Sequence, residues 1–260
     1  MSEASPGEGG KGALNPVSRW WLLLPAAGTG RRMQSEVPKQ YLPLAGRTVL
    51  EVTLSRFLGL PGLVGVMLVT SGDLPEAVEA ALARCPVPVQ RVPGGATRAE
   101  SVRNGLVGLR DRSGTHTAAM SGDGEGDWVL VHDAARPCVR PDDVESLLRM
   151  ARAPEGGLLA APVRDTIKRV AADGFVDETV DRASLMHALT PQLFPARVLL
   201  DAIEAALAAG YPVTDEASAV ERAGWRPRAV AGAADNLKIT HPEDLAIARA
   251  ILVCQGVLDD

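Results

Sequence analysis

A chain of 260 residues, 46% hydrophobic and 23% charged, has the size and make-up of one globular domain with at most a small appendage. Its formal net charge of −5 argues against a general nucleic-acid binder, so any cluster of cations needs a local purpose. Three cysteines, far apart and without metal spacing or an even disulfide set, favour a reducing cytoplasm, and no apolar run is long enough to span a membrane.

Residues 1–18 open with Gly, Ser, Glu and Pro and lack the apolar core of a signal peptide and the Arg-rich make-up of a transit peptide. They read as a disordered tail ahead of a single domain over 19–260. The abundance of Ala, Arg and Gly is that of a GC-rich bacterial gene. The first strong signal is Trp20 to Leu24, an apolar run that fits one buried strand. Pro25, Ala26, Ala27, Gly28, Thr29 and Gly30 follow with almost no side-chain bulk. Such a bare turn exposes backbone N–H groups in a concave anion site. Arg31, Arg32 and Lys39 come next, as a triphosphate would select. A plain tight turn is the competing reading. A dinucleotide fingerprint is disfavoured, because Met33 stands where its third glycine belongs.

Arg47 to Leu58 has helical spacing, Leu63 to Val69 reads as a second strand, and Asp73 to Ala83 as a helix with Asp73 as its cap. Val87 to Val92 is a third strand, so the order predicts a parallel sheet with helices on its faces. The next turn, Pro93 to Val102, again places glycines at the carboxyl edge of the sheet. Gly95 and Ala96 offer backbone groups to a base edge, and Ser101 adds a hydroxyl one turn later. Amide and hydroxyl groups suit cytosine, although an ordinary helical serine explains Ser101 equally well. Residues 111–127 are Gly, Ser, Thr and Asp and read as a flexible insertion, with His116 solvated.

Trp128 to Val131 is a fourth strand, and His132-Asp133-Ala134-Ala135-Arg136 leaves its end. Adjacent residues on an extended chain point oppositely, which disfavours a His–Asp dyad. Asp133 is expected to face a ribose, the substrate or a hydrated magnesium, with His132 structural. Arg136 suits a phosphate or a surface ion pair. After a helix at Pro141 to Ala151 and a strand at Gly157 to Ala161, residues 162–189 break the rhythm. Val163 to Val170 alternates, turns at Asp173-Gly174 and resumes as Phe175 to Val180, a hairpin that needs something to pack on. Asp165, Thr166, Arg182 and Thr190 lie on or beside this arm, and hydroxyls with an arginine suit a polyol phosphate, or are exposed strand residues. Asp181 is placed to offset Arg182. A helix at Pro195 to Ala209 precedes Thr214, which is expected to cap the next helix. Lys238 sits in an apolar segment read as a strand, where a lysine needs an anionic partner.

PAAGTGRRM with PKQYL, GG…R..SV, VHDAARP, DTIKR, TVDR…HALTPQ and TDEAS stand in this order from Leu22 to Val253. Together they resemble the 2-C-methyl-D-erythritol 4-phosphate cytidylyltransferase family of the non-mevalonate isoprenoid pathway. The resemblance implies a Rossmann-like α/β fold, a mostly parallel sheet with helices on both faces and a protruding β-arm over 162–189. It implies CTP and methylerythritol 4-phosphate as substrates, magnesium as cation, and a homodimer in which the arm completes the partner's site. Ala134 joins Asp133, and the Pro25–Gly30 loop, Gly95, Ala96 and Ser101 take CTP. Thr214 joins Arg136, Asp165, Thr166 and Thr190 on the acceptor. Ala96 departs from the acidic residue of some members, so contact there falls to the backbone. A phosphate nucleophile is already ionised at neutral pH and needs no base. Arg32 and Lys39 are therefore assigned to transition-state charge, and Arg182 and Lys238 to placing the acceptor. A cytidylyltransferase for ribitol 5-phosphate and a non-catalytic CTP-binding regulator are the alternatives.

Overall fold

The computed structural model describes residues 17–28, 33, 37–112 and 127–259. The N-terminal 16 residues, Thr29 to Arg32, and 113–126 within the expected insertion lie outside the described residues. Strands β1 (Trp20–Pro25), β4 (Leu63–Thr70), β5 (Val89–Pro93) and β6 (Trp128–Val131) are the four strands expected from sequence. They lie parallel, in the order β6-β1-β4-β5. Beyond β6 the sheet continues with β10 (Met186–Pro195), β7 (Gly157–Pro162) and β11 (Arg228–Ala231), seven strands in all.

Strand β10 runs antiparallel to both β6 and β7, while β11 is parallel to β7. This strand corrects the sequence reading, which ended the arm at Leu189 and began a helix at Pro195. Its register shifts between Ala188 and Gln192, around Pro191, a residue without an N–H to give a ladder. Leu193 and Phe194 are fully buried on opposite faces, which places the strand in the middle of the sheet.

Residues alternate across the sheet, so Leu22 and Leu24 of β1 face one side and Leu23 the other. Against the first side pack α1 (Val49–Ser55), α2 (Glu76–Ala83) and α4 (Pro141–Met150), through Leu50, Val78 and Leu147. Against the second pack α3 (Arg98–Arg112), α5 (Ala196–Ala208) and α6 (Glu216–Arg222), through Leu106, Leu199 and Val220. The last helix, α7 (Asp244–Cys254), joins a third cluster with the short pair β2 (Pro43–Leu44) and β3 (Arg47–Thr48). Helix α1 is shorter than its apolar pattern. Thr48 and Glu51 form a reciprocal cap at its start, so Arg47 belongs to β3. Helix α2 begins after Pro75 with no side-chain cap, so Asp73 does not cap it.

The hairpin, β8 (Ile167–Val170) with β9 (Val176–Val180), is a separate two-stranded sheet turning at Gly174. Its Val170, Phe175 and Val176 are exposed, Phe175 by 74%.

Gly156, before β7, has φ +65, and an added Cβ would lie 2.2 Å from Phe194 Cδ1 and 2.4 Å from the Leu193 carbonyl. Gly210 has a similar φ, +64, and open space around it. Gly156→Ala is expected to cost about 2–4 kcal/mol, from left-handed strain plus overpacking. Gly210→Ala, with strain alone, is expected to cost about 1 kcal/mol. Urea unfolding midpoints of the two variants test the difference.

Candidate functional site

Strands β1, β4, β5 and β6 end side by side, and the loops leaving them wall a cleft of about 650 Å³. Parallel sheets place ligands at such carboxyl ends, because the loops there are free of the ladder. Pro25 to Gly28 come from β1, Ser71 from β4, Gly95 to Arg98 from β5 and Asp133 to Ala135 from β6. Lys39, Gln40, Lys238 and Thr240 close the rim.

Small side chains let these loops meet. The N–H groups of Ala26 and Gly94 donate to Val69 and Thr70, so both loops start from the end of β4. A Cβ at Gly94 would stand 2.2 Å from the Cβ of Ala27. At Gly28, among the described residues, nothing lies within 4 Å of such a Cβ. Gln40 donates to the carbonyls of Ala26 (2.6 Å) and Gly28 (3.2 Å), tying the KQYL segment to the first loop. Beside it, Lys39 Nζ donates to the Ile239 carbonyl at 2.7 Å, which brings the C-terminal rim to the same point. Ser101 lines the cleft, and its hydroxyl is bound within the β5 loop. It accepts from Gly95 N–H and donates to the Thr97 carbonyl, fixing the shape of the β5 loop.

The floor is a charge cluster around Asp133. Arg98 Nε reaches Asp133 Oδ1 at 3.0 Å, Lys238 Nζ reaches Oδ2 at 2.8 Å, and Arg136 Nε reaches Oδ2 at 3.4 Å. Arg98 also holds Glu216 with two N–H groups, at 2.5 and 3.1 Å. Three cations face two carboxylates, an excess of positive charge on a protein of net −5. Burial alone would raise the Asp133 pKa, but Arg98, Lys238 and Arg136 reverse it and hold the carboxyl far below its ordinary range. Burial would lower that of Arg98, and Glu216 followed by Asp133 reverses it upward.

His132 lies behind this floor, fully buried and edge-on to Phe57. Thr190 Oγ1 accepts from the Asp133 N–H and sits 3.1 Å from His132 Nδ1, while His132 Nε2 is 3.0 Å from the Arg136 carbonyl. That pattern suits a neutral ring with its proton on Nε2, donating to the carbonyl and accepting at Nδ1. Burial is the main cause of a His132 pKa near 4. Asn236 donates to the Thr190 carbonyl and accepts from Arg136 through its own carbonyl. His132 is thus a structural element behind the carboxylate.

The cleft therefore unites Pro25, Ala26, Ala27, Gly28, Lys39, Gly95, Ala96, Ser101, Asp133, Ala134 and Lys238. Thr29, Gly30 and Arg32 lie outside the described residues. Lys238 has the anionic partner expected of it, yet it stands in a loop and not in a strand. Arg136 and Thr190 do not line the cleft, because their polar atoms serve Asp133, His132 and Asn236. Thr190 belongs to β10 and not to the arm. Asp165, Thr166 and Arg182 are exposed and stand apart from the cleft of their own chain, with Arg182 donating to the Arg164 carbonyl. Thr214 is exposed and is not the cap of α6. Asp215 is, accepting from Ser218 N–H. The sequence reading assigns no role to Arg98, Gln40 and Glu216, although each stands inside one of the sequence motifs. Their signal was position, an arginine opening the helix after the second glycine loop and a glutamine beside Lys39.

Comparison with known proteins agrees along the chain. The family described as IspD, 2-C-methyl-D-erythritol 4-phosphate cytidylyltransferase, matches residues 21–254. The 2-C-methyl-D-erythritol 4-phosphate cytidylyltransferase of Ectopseudomonas mendocina is 50% identical over 233 residues, 89% of this chain and 95% of that one. Its counterpart in Pseudomonas aeruginosa is 50% identical over 229 residues, 87% of this chain and 93% of that one. A crystal structure of a 4-diphosphocytidyl-2C-methyl-D-erythritol synthase superposes with a TM-score of 0.73 at 39% identity, covering 90% of this chain and 99% of the other. The Francisella tularensis cytidylyltransferase gives 0.70 at 32%, covering 90% and 100%.

The buried, neutral His132 gives a pH dependence with a defined sign. Its folded pKa lies below the ordinary 6.5, so the unfolded chain takes up the proton first. The stability it supports is full above about 6.5 and drains as pH falls toward 4, by on the order of 3 kcal/mol. Asp133 contributes to a separate window, since its lowered pKa costs stability only below the ordinary carboxyl value. Chemical unfolding between pH 7 and 4 is expected to show the slope in the wild type and most of it lost in His132→Gln. An equal slope in both would refute the assignment.

Proposed function

Because this chain belongs to the 2-C-methyl-D-erythritol 4-phosphate cytidylyltransferase family, it is a nucleotidyltransferase that joins CTP to methylerythritol 4-phosphate in the non-mevalonate route to isoprenoids, and we propose that the cleft carries this reaction through the residues it gathers. The products are 4-diphosphocytidyl-2-C-methyl-D-erythritol and pyrophosphate. The observation that carries the proposal is the convergence of Pro25–Gly28, Lys39, Gly95, Ala96, Asp133 and Lys238 on one cleft with excess positive charge.

An oxygen of the acceptor phosphate forms a bond to the α-phosphorus of CTP as the bond to pyrophosphate breaks. The nucleophile arrives ionised, so no proton has to be removed, in keeping with a neutral, buried His132. The protein's task is charge and placement. The loop from Pro25 through Thr29 and Gly30 gives its N–H groups to the triphosphate, and Arg32 and Lys39 meet charge developing at the α-phosphate. Gly95 and Ala96 read cytosine through backbone groups. Ser101 keeps that loop in shape. Asp133 and Ala134 face the ribose. Lys238, steadied by Asp133, orients the acceptor together with Arg182, Asp165, Thr166 and Thr214. Arg136 and Thr190 act from behind, by fixing Asp133.

Magnesium, when bound, neutralises phosphate oxygens and templates an in-line displacement. Among the described residues Asp133 is the acidic side chain lining the cleft, and both its oxygens face cations. This donor set would fit an ion brought in on the nucleotide, with Asp133 as the nearby carboxylate.

The acceptor residues of the arm require a second copy of the chain. Asp165, Thr166 and Arg182 stand apart from their own cleft, and the hairpin exposes Val170, Phe175 and Val176. A bare two-stranded hairpin is marginal in water. The reading is a homodimer in which each arm completes the partner's site. The three free cysteines among the described residues agree with a cytoplasmic setting.

Two experiments test these assignments. Pyrophosphate release from CTP and magnesium is expected with methylerythritol 4-phosphate and far less with ribitol 5-phosphate. Lys39→Ala should lower kcat by roughly 10²–10³-fold, as for loss of one oxyanion donor. Preference for ribitol 5-phosphate would move the protein to another substrate, and no release with either would sink the enzyme reading. Mixing inactive Lys39→Ala with inactive Arg182→Ala is expected to restore roughly one quarter of wild-type sites, because a mixed two-fold dimer rebuilds one intact cleft. No recovery after verified subunit exchange would show that each chain uses its own arm.

A further inference from the structure

Arg98 is the first residue of α3, directly after the β5 loop proposed to read the base. Its guanidinium is shared between two buried carboxylates that come from distant parts of the chain. Nε goes to Asp133 Oδ1 in the β6 loop, and Nη1 and Nη2 go to the two oxygens of Glu216, which is only 1% exposed. Glu216 opens α6, immediately after the turn that carries Thr214. The same turn is held from the sheet by Gln192, which donates to Asp215 and accepts from the Ala217 N–H. The other oxygen of Asp133 holds Lys238.

A planar guanidinium can serve both carboxylates at once because its donors are set in a rigid fork, which an ammonium lacks. Two acceptor-side features therefore depend on one nucleotide-side residue. The rotation of Asp133, and with it the position of the Lys238 ammonium, is set by Arg98. The first turn of α6, and with it Thr214, is anchored through Glu216. We propose that Arg98 is a positioning residue for cytidylyl transfer, which fixes the acceptor-binding half of the cleft from the nucleotide-binding half through Asp133 and Glu216. This rests on the function proposed above.

Removing Arg98 alone would leave the Glu216 charge buried without a partner, and such a variant is liable to unfold. The test therefore uses the neutral pair Arg98→Met/Glu216→Gln, which keeps volume and leaves no lone charge, beside Glu216→Gln and Arg98→Lys. Unfolding midpoints and circular dichroism establish that each variant is folded, and steady-state pyrophosphate release is measured with each substrate varied in turn. The expected result for the neutral pair is a kcat at least tenfold lower and a KM for methylerythritol 4-phosphate at least tenfold higher, with a clearly smaller rise in the CTP KM, which reaches Arg98 only through Asp133. Glu216→Gln is expected to raise the acceptor KM with less effect on kcat, and Arg98→Lys to recover only part of the loss.

A neutral pair with all constants within threefold of wild type would overturn the proposal. So would a CTP KM that rises as far as that of the acceptor, since Arg98 would then act on the nucleotide. Full recovery by Arg98→Lys would overturn the shared fork. Absence of pyrophosphate release in the wild type would instead overturn the function on which the proposal rests.

Discussion

The centre of this protein is a carboxylate that water barely reaches and three cations that reach it from different parts of the chain. Asp133 leaves the end of β6, Arg136 lies three residues beyond it, Arg98 opens α3, and Lys238 comes from the C-terminal region. A buried charge is costly without good partners, so the position of each of these segments matters to the others. The surplus of cations leaves the floor of the cleft positive although the chain as a whole is acidic. The same burial keeps His132 neutral, and its hydrogen bonds through Thr190 and the Arg136 carbonyl hold the loop from behind. Binding surface and mechanical support are thus adjacent residues with opposite fates, Asp133 toward the cleft and His132 toward the core.

What could be read from the chain was whatever depends on near neighbours. The strands β1, β4 and β6 are nearly continuous apolar runs because both faces of the sheet are covered there, and small-residue loops follow β1 and the edge strand β5. A lysine in apolar surroundings asked for an anion, and Asp133 is that anion. Long-range pairing was less visible. HALTPQLFP contains two prolines and a polar middle, so nothing local marks it as a central strand, and only β6 and β7 on either side make it one. Thr190 consequently reads only as a neighbour of the arm. Arg98 has no role in the sequence reading, because Glu216, its bidentate partner, is 118 positions away. Thr214 and Asp215 both had capping chemistry, and the geometry of one turn chose Asp215.

The arm shows a different limit. Asp165, Thr166 and Arg182 have the chemistry of ligand-binding side chains without a cleft of their own chain to serve, and exposed apolar residues stand on the same hairpin. Sequence supplies the chemistry and one chain supplies the shape, but a shared site is a property of an assembly. The complementation of two defective copies addresses that property directly, where a substitution in one copy would not separate loss of contact from loss of folding.

The close approach of Gly94 to Ala27 has a mechanical consequence. Their loops leave β5 and β1 on either side of β4, and each is tied by its N–H to the end of that middle strand. With only the Ala27 methyl group between them and no room for another, they form one continuous wall with little slack to absorb displacement. Moving the β5 loop toward the β1 loop by even the width of a methyl group would push on it, so neither can shift inward independently. A ligand seated on one half would therefore already set the shape of the other, and the cleft would respond to a whole nucleotide as a single rigid gauge.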